Sequence, residues 1–412
     1  MITVEQAREA VLARIKRLPA VEVDILDTLG RVLAADISSD IDIAPFDNSA
    51  MDGYAVRAAD VAGASEESPV VLDVVEHVAA GSFPVETVGA GQATRIMTGA
   101  PMPQGADAVV MVERTEALEA GGGAGGTAAI KAPVAVGENV RLRAEDVRTG
   151  DIVLSADEVV SAAAIGLMAA MGRPKASVYR RPRVAIVATG DELVGIDEYP
   201  GPGKIRNSNS YSLAAQVLAA GGEPHILPVA RDNEADTRAI LSRAPEFDLM
   251  VSTGGVSMGD FDVVKDVLED IGVMDFWKVA MRPGAPQTYG TIGGTPFFGL
   301  PGNPTSTTVG FELFVRPAMR KMAGYGALER PTVQAVLTHD VKKKSDRRYF
   351  LRGRLTRTDD GYSVALSGSQ SSAMLTSMHR ANCLVSLAEG ESFFSAGSIV
   401  TCIRLDIEEG VK

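Results

Sequence analysis

At 412 residues, 46% hydrophobic and 23% charged, the chain has a globular composition with room for several cores, which excludes a disordered or fibrous protein. Its formal net charge of −13 argues against nucleic acid as a partner, because phosphates call for an excess of Lys and Arg. No apolar run approaches the roughly 20 residues that cross a bilayer, so no membrane is expected.

The opening MITVEQAREAVLARIKRL is charged and amphipathic, unlike a secretory leader. Cys383 and Cys402 cannot staple a chain of this size and sit in no metal-type cluster, which suits a reducing, cytoplasmic setting. Val4, Ala7, Val11, Ile15 and Leu18 recur at three or four residues and predict an amphipathic helix over 4–18. A β-branched stretch over 21–43 follows, with a turn at Gly30-Arg31. From 44 to 146, short Val-rich runs alternate with Gly and Pro, predicting a small β-rich domain in which GGGAGG at 121–126 is a hairpin tip or loop. An Ala-rich helix is expected over 158–171, stopped by Gly172 and Pro174.

The next region alternates regularly. Strands are expected over 183–188, 225–230, 248–252 and 297–300, and helices over 212–220, 234–243, 262–271 and 307–322. This order implies an α/β domain with a doubly wound, mostly parallel sheet. Beyond about 330 the strand texture returns as a second all-β unit. The domains so delimited are 1–43 with 147–180 (a linking domain), 44–146, 181–328 and 329–412.

In a doubly wound sheet, ligands bind outside the carboxyl ends of the strands. Three such ends carry suitable turns: Thr189-Gly190-Asp191-Glu192-Leu193, Thr253-Gly254-Gly255-Val256-Ser257 and Pro301-Gly302-Asn303-Pro304. Glycine lets backbone approach a ligand and hydroxyls add donors, so together the turns suit a nucleotide-sized anionic ligand better than chain reversal alone. There is no P-loop and no G-x-G-x-x-G opening a helix after a strand. His77, His225, His339 and His379 are scattered without ligand spacing, so any metal would be held by carboxylates, which points to Mg²⁺. Asp191, Glu192, Asp232, Asp260 and Asp262 are the loop candidates. Gly255-Val256-Ser257-Met258-Gly259 matches a nucleophile elbow, but the strand ends too early for Ser257 to stand on the sharp turn, and serine hydrolysis ranks below ligand binding. The basic stretch Lys342, Lys343, Lys344, Arg347, Arg348, Arg352, Arg354, Arg357 reads as a solvated strand face from which one or two cations could reach an anion.

These loops, in this order, resemble the molybdopterin molybdenumtransferase family, called MoeA in bacteria and represented by the C-terminal part of gephyrin in animals. The resemblance spans essentially the whole chain. It is carried by Asn48-Ser49-Ala50-Met51-Asp52-Gly53-Tyr54-Ala55-Val56, Ile96-Met97-Thr98-Gly99-Ala100-Pro101, Arg143-Ala144-Glu145-Asp146, the three turns above, Gly203-x-Ile205 with Asn209, and Trp277-Lys278. It implies an elongated homodimer whose central domain is like the molybdopterin-binding fold of MogA-type adenylyltransferases, with a β-barrel-like C-terminal domain. The implied reaction inserts molybdate into adenylylated molybdopterin, with Mg²⁺-dependent release of AMP and finished cofactor, which molybdoenzymes would then receive.

The resemblance further implies site residues. Asp52, Thr98, Asp146, Glu192, Asp232 and Asp262 would be catalytic, the last three also holding Mg²⁺, with the small β domain of a partner subunit bringing Asp52 and Thr98. Thr189, Gly190, Asp191, Asn209, Ser252, Gly254, Gly255, Ser257, Pro301, Gly302, Asn303 and Pro304 would bind the substrate. Molybdate would meet Lys278, Arg282, Ser306, Arg352 and Ser372. Taken singly, Asp52 is a turn residue before Gly53, and Asp146 a cap or surface charge; the unbroken motif favours function for Asp52. Two departures stand out: Arg282-Pro283-Gly284-Ala285-Pro286 where Lys-Pro-Gly-Lys-Pro is frequent, and Ala144 where Gly is usual. Alternatives are adenylylation of molybdopterin or a scaffold without turnover.

Overall fold

The run Val184-Ala185-Ile186-Val187-Ala188 is apolar at every position because its strand is buried on both faces. The computed structural model describes residues 1–119, 123–254 and 263–407, except the side chains of Val263 and Trp277. It divides into two units, one of residues 1–35, 157–161 and 175–412, the other of 36–156 and 162–174.

The first unit holds a six-stranded sheet: β1 (Arg183–Ala188), β2 (Glu223–Ile226), β3 (Leu249–Thr253), β4 (Gly272–Lys278), β5 (Pro286–Ile292) and β6 (Thr295–Leu300), in the order β2-β1-β3-β6-β5-β4. The first four neighbours are parallel, and the hairpins β6-β5 and β5-β4 are antiparallel. Val184 and Ile186 join one core with Val4, Ala7, Val11 and Ile15 of the N-terminal helix, while Ala185 and Val187 join another with Leu241, Val267 and Leu268. Side-chain alternation thus feeds two cores from one strand, and each buried Val or Ile contributes roughly 1.5–3 kcal/mol.

Element boundaries shift for local reasons. The N-terminal helix runs Val4–Arg14, closed by a capping box between Thr3 and Gln6, and ends short of the expected Leu18. The helix expected from 212 begins at Ser208, because the Asn207 side chain accepts the Ser210 N–H and turns a polar run into a cap. The helix expected over 158–171 is confined to Ala162–Ala170. The strand expected from 225 is Glu223–Ile226. Past β6, the helical run begins at Pro304, a residue suited to a first helical turn, and contains a π-helical turn over Phe311–Val315 before continuing to Met322.

In the same unit β7 (Thr332–Leu337), β8 (Arg348–Thr358), β9 (Gly361–Leu366), β10 (Cys383–Leu387) and β11 (Ile399–Arg404) pair in the circle β8-β9-β7-β11-β10-β8, a closed barrel. Cys383 and Cys402 are free thiols in its core. The short strand Met281–Arg282 joins β8 through Met281↔Arg348 and Arg282↔Tyr349, stitching the α/β sheet region to the barrel.

The second unit centres on a six-stranded sheet in the order Ala108–Met111, Gly53–Val56, Gln92–Ile96, Val70–Val78, Gly126–Ile130, Thr115–Ala117. The last two strands form an antiparallel pair on either side of the Gly-rich stretch, whose residues 121–122 lie outside the described residues.

Candidate functional site

The three glycine-bearing turns meet. Pairing of Ala188 with Thr253, and of Thr253 with Leu300, brings the ends of β1, β3 and β6 side by side. Gly254 has φ +92°, and a β-carbon there would lie 2.6 Å from the Thr189 carbonyl oxygen; one on Gly302 would reach Gly254 Cα at 3.5 Å. Asn209 Nδ2 donates to Thr253 Oγ1 at 2.9 Å and to the Gly302 carbonyl at 2.8 Å, tying two turns together. The turns floor a cleft of about 1630 Å³ that the barrel closes from the other side. Thr189 Oγ1 is buried there without a hydrogen-bond partner, a state that is costly until a ligand supplies one; Asn209 Oδ1 is buried and unpartnered too, but Asn209 is outside the lining.

Three carboxylates line the cleft, Glu192 and Asp232 beside the glycine turns and Asp340 on the barrel side. Glu192 folds back over Gly190, where a β-carbon would fall 2.2 Å from Glu192 Oε2. Asp232 is aimed by reciprocal bonds: its Oδ2 accepts the Asp191 N–H at 3.1 Å, and its own N–H donates to Asp191 Oδ1 at 3.3 Å. Asp191 therefore positions Asp232 and does not itself line the cleft.

The other opposing groups are cationic or hydroxylic. Arg282 lies over the Tyr349 ring, 5.6 Å from its centroid, and donates from Nη1 to the Tyr349 hydroxyl at 3.4 Å. Gly284, at φ +83°, packs against Ser306, a β-carbon there falling 3.1 Å from Ser306 Cβ. The Thr305 N–H donates to the Ser372 carbonyl and the Ser306 N–H to the Asn303 carbonyl, so these two amides are spent.

Several expected residues are placed differently. Ser252 is wholly buried within β3 and does not line the cleft. Lys278 ends β4 at a register irregularity, its carbonyl accepting the Ile2 N–H, and it too is outside the lining. Arg352 borders the cleft but is fully buried: its Nη2 donates to the Ser369 and Ser371 carbonyls and its Nε to Ser377 Oγ. Burial without a carboxylate partner pushes its pKa down to about 10. Its evident work is to hold the 369–372 loop, which carries Ser372. Gly255, Ser257 and Asp262 lie outside the described residues. Sequence reasoning missed Tyr349, Gln370 and Ser371, and left Lys342, Lys344 and Arg347 undistinguished within the basic run, though all border the cleft.

Asp52, Thr98 and Asp146 belong to the second unit. Asp52 Oδ1 accepts both the Thr98 N–H at 2.7 Å and its hydroxyl at 2.8 Å, which holds the carboxyl below its ordinary pKa. With that sign the pair persists at neutral pH and is lost as pH falls through the depressed value. Asp146 is exposed, and its N–H donates to the Ile43 carbonyl. Ala144 stands at φ +57°, the left-handed region that glycine tolerates best.

Comparison with known proteins decides the family. A molybdopterin molybdenumtransferase of Staphylococcus aureus (strain COL) is 37% identical over 404 residues, covering 98% of this chain and 95% of the relative. The chain belongs to the MoeA family. Family models match along its length: the MoeA N-terminal region (domain I and II) over residues 2–172, the probable molybdopterin binding domain over 185–321, and the MoeA C-terminal region (domain IV) over 334–405. A crystal structure described as the molybdopterin biosynthesis MoeA protein from Pyrococcus horikosii superposes with a TM-score of 0.82 at 34% identity, covering 98% of this chain and 99% of that one. A second MoeA structure, from Pyrococcus horikoshii OT3, gives 0.81 at 30% identity with the same coverage. The fold is the multidomain MoeA fold, α/β with β-rich domains, and no helix among the described residues is long and apolar enough to cross a membrane.

Proposed function

We propose that the cleft inserts molybdate into adenylylated molybdopterin, making this MoeA-family chain a molybdopterin molybdenumtransferase and completing the molybdenum cofactor with release of AMP. The observation that carries the reading is convergence: three glycine turns form one floor, with carboxylates and cations in the same cavity. The volume admits a nucleotide-linked pterin. Thr189 Oγ1 offers an unspent polar atom to a pterin edge, and Ser306, Ser372 and Arg282 offer donors to a tetrahedral dianion.

Among the described residues no group of three or more metal-type side chains is assembled, but Glu192 and Asp232 fit a Mg²⁺ ion that completes its shell with substrate phosphates and water. Such an ion would neutralise the phosphates whose bond must break. The chain's own part is to hold Glu192 over Gly190, to aim Asp232 through the Asp191 amide, and to fix the oxyanion against the pterin so that reaction is effectively intramolecular. Homodimerisation, with Asp52, Thr98 and Asp146 of a partner subunit completing the site, belongs to the same reading, as do a cytoplasmic setting and delivery to molybdoenzymes.

The test is purified protein with adenylylated molybdopterin, molybdate and Mg²⁺, scored by AMP release and by activation of a cofactor-free molybdoenzyme. Both signals are expected, and both should be lost on omitting Mg²⁺. No AMP under complete conditions would contradict the reading, and ATP consumption without molybdate would favour adenylylation instead.

A further inference from the structure

The basic stretch 342–357 separates into spent and unspent cations. Lys343 is buried, its Nζ donating to the Ala388 carbonyl and lying 5.4 Å from the Tyr349 ring centroid. Arg348 bridges Glu5 and Glu389, and Arg352 holds the serine loop through Nη2, though its buried Nη1 has no hydrogen-bond partner. By contrast Lys342 and Lys344 are exposed, Arg347 is half-buried, all three border the cleft, and their side chains make no hydrogen bond or ion pair with a described residue. The nearby acids pair with none of the three: Asp340, which also borders the cleft, accepts the Ala396 N–H at 2.8 Å, and Asp346 accepts the Gly390 N–H at 2.5 Å.

The segment that carries them is held in place. Val341 and Lys342 pair with Phe394 and Phe393, the Lys343 N–H donates to the Ser392 carbonyl, and the Lys344 N–H donates to the Tyr349 hydroxyl at 3.0 Å. The same hydroxyl receives Arg282, and strand pairing sets Arg282 beside Tyr349. One phenol thus ties the cationic segment to the Arg-Pro-Gly-Ala-Pro turn, where Ala285 leaves no charge.

We propose that Lys342, Lys344 and Arg347 form a cationic strap, latched by Tyr349, that captures the free tetrahedral oxyanion opposite the uncharged Ala285. The proposal rests on the cleft reading above and names residues for one of its steps. A free dianion avoids Glu192 and Asp232 and collects where three unpaired cations outnumber Asp340, the one carboxylate lining the barrel side; a phosphate group of the nucleotide shares the chemistry but can be shielded by Mg²⁺ on the carboxylates.

The experiment compares the full-length chain with K342A/K344A/R347A by calorimetric titration of molybdate and, separately, of AMP with Mg²⁺, circular dichroism verifying the fold. The triple variant should bind molybdate about tenfold more weakly, the sum of three modest exposed charge interactions, with AMP affinity within about twofold. Adding A285K to the triple variant should recover most of the loss. Should the triple variant not fold, K344E alone is expected to weaken molybdate about threefold. Unchanged molybdate affinity, or an equal fall for AMP, overturns the proposal. Failure of the catalytic reading would appear separately, as a wild-type protein that releases no AMP.

Discussion

The α/β wall of the cleft is built from backbone and the barrel wall from side chains. On the first, Gly190 and Gly254 adopt φ +141° and +92°, and the close approach at 254 leaves no room for a larger residue. On the second, Tyr349, Arg352 and the strap at 342–347 act through a phenol, a guanidinium and free cations that β8 and its neighbours bring to the cavity. A backbone-built wall fails when a side chain is added, whereas a side-chain-built wall can be retuned. The predicted effects of substitution therefore differ in kind between the two.

The largest effect is expected at Gly254→Val, where both the positive φ and contact with the Thr189 carbonyl penalise a β-carbon. A loss of about 3 kcal/mol or more, read by denaturant unfolding, should accompany loss of AMP release. A near-wild-type stability would mean that the turn relaxes and that the wall is not backbone-built. Arg352→Met comes next: it leaves the Ser369 and Ser371 carbonyls unpaired, a cost of about 1–3 kcal/mol offset in part by relief of a buried charge. Molybdate affinity should fall because the Ser372 loop loosens. If stability holds while affinity vanishes, Arg352 contacts the anion directly.

Ala285→Lys probes the retunable wall and should tighten oxyanion binding roughly three- to tenfold in calorimetry, an exposed charge being worth up to about 1 kcal/mol. An unchanged dissociation constant would show that the cleft is already saturated with cation. The smallest effect is expected at Ala144→Gly in the second unit, where alanine bears a left-handed φ of +57°. Thermal unfolding should show a gain of about 1 kcal/mol, since relief of the left-handed penalty exceeds the added chain entropy.

This division also explains what the chain disclosed as a sequence. Turns such as Thr253-Gly254 and Pro301-Gly302-Asn303-Pro304 are local, so residue type and position after an apolar run were enough to place them on one sheet edge. Helix and strand alternation in the central region, and the strand texture after 330, were equally readable. The barrel wall was not, because Lys342, Lys344 and Arg347 look like any solvated strand until pairing with Phe393 and Phe394 and the bond to Tyr349 set their segment beside the cavity. Arg352 misled for a similar reason: its charge is visible in the sequence, but its complete burial and the two carbonyls it holds depend on β8 packing against the 369–372 loop.

The central claim is that one cavity gathers the phosphorylated pterin and the oxyanion, with the latter on the cationic side. Anomalous diffraction from a crystal soaked in tungstate, the heavier tetrahedral dianion, tests it most directly. The account predicts a peak between Arg282, Ser306 and the 342–347 strap; a peak confined to some other surface, or none in the cleft at saturating tungstate, would contradict it.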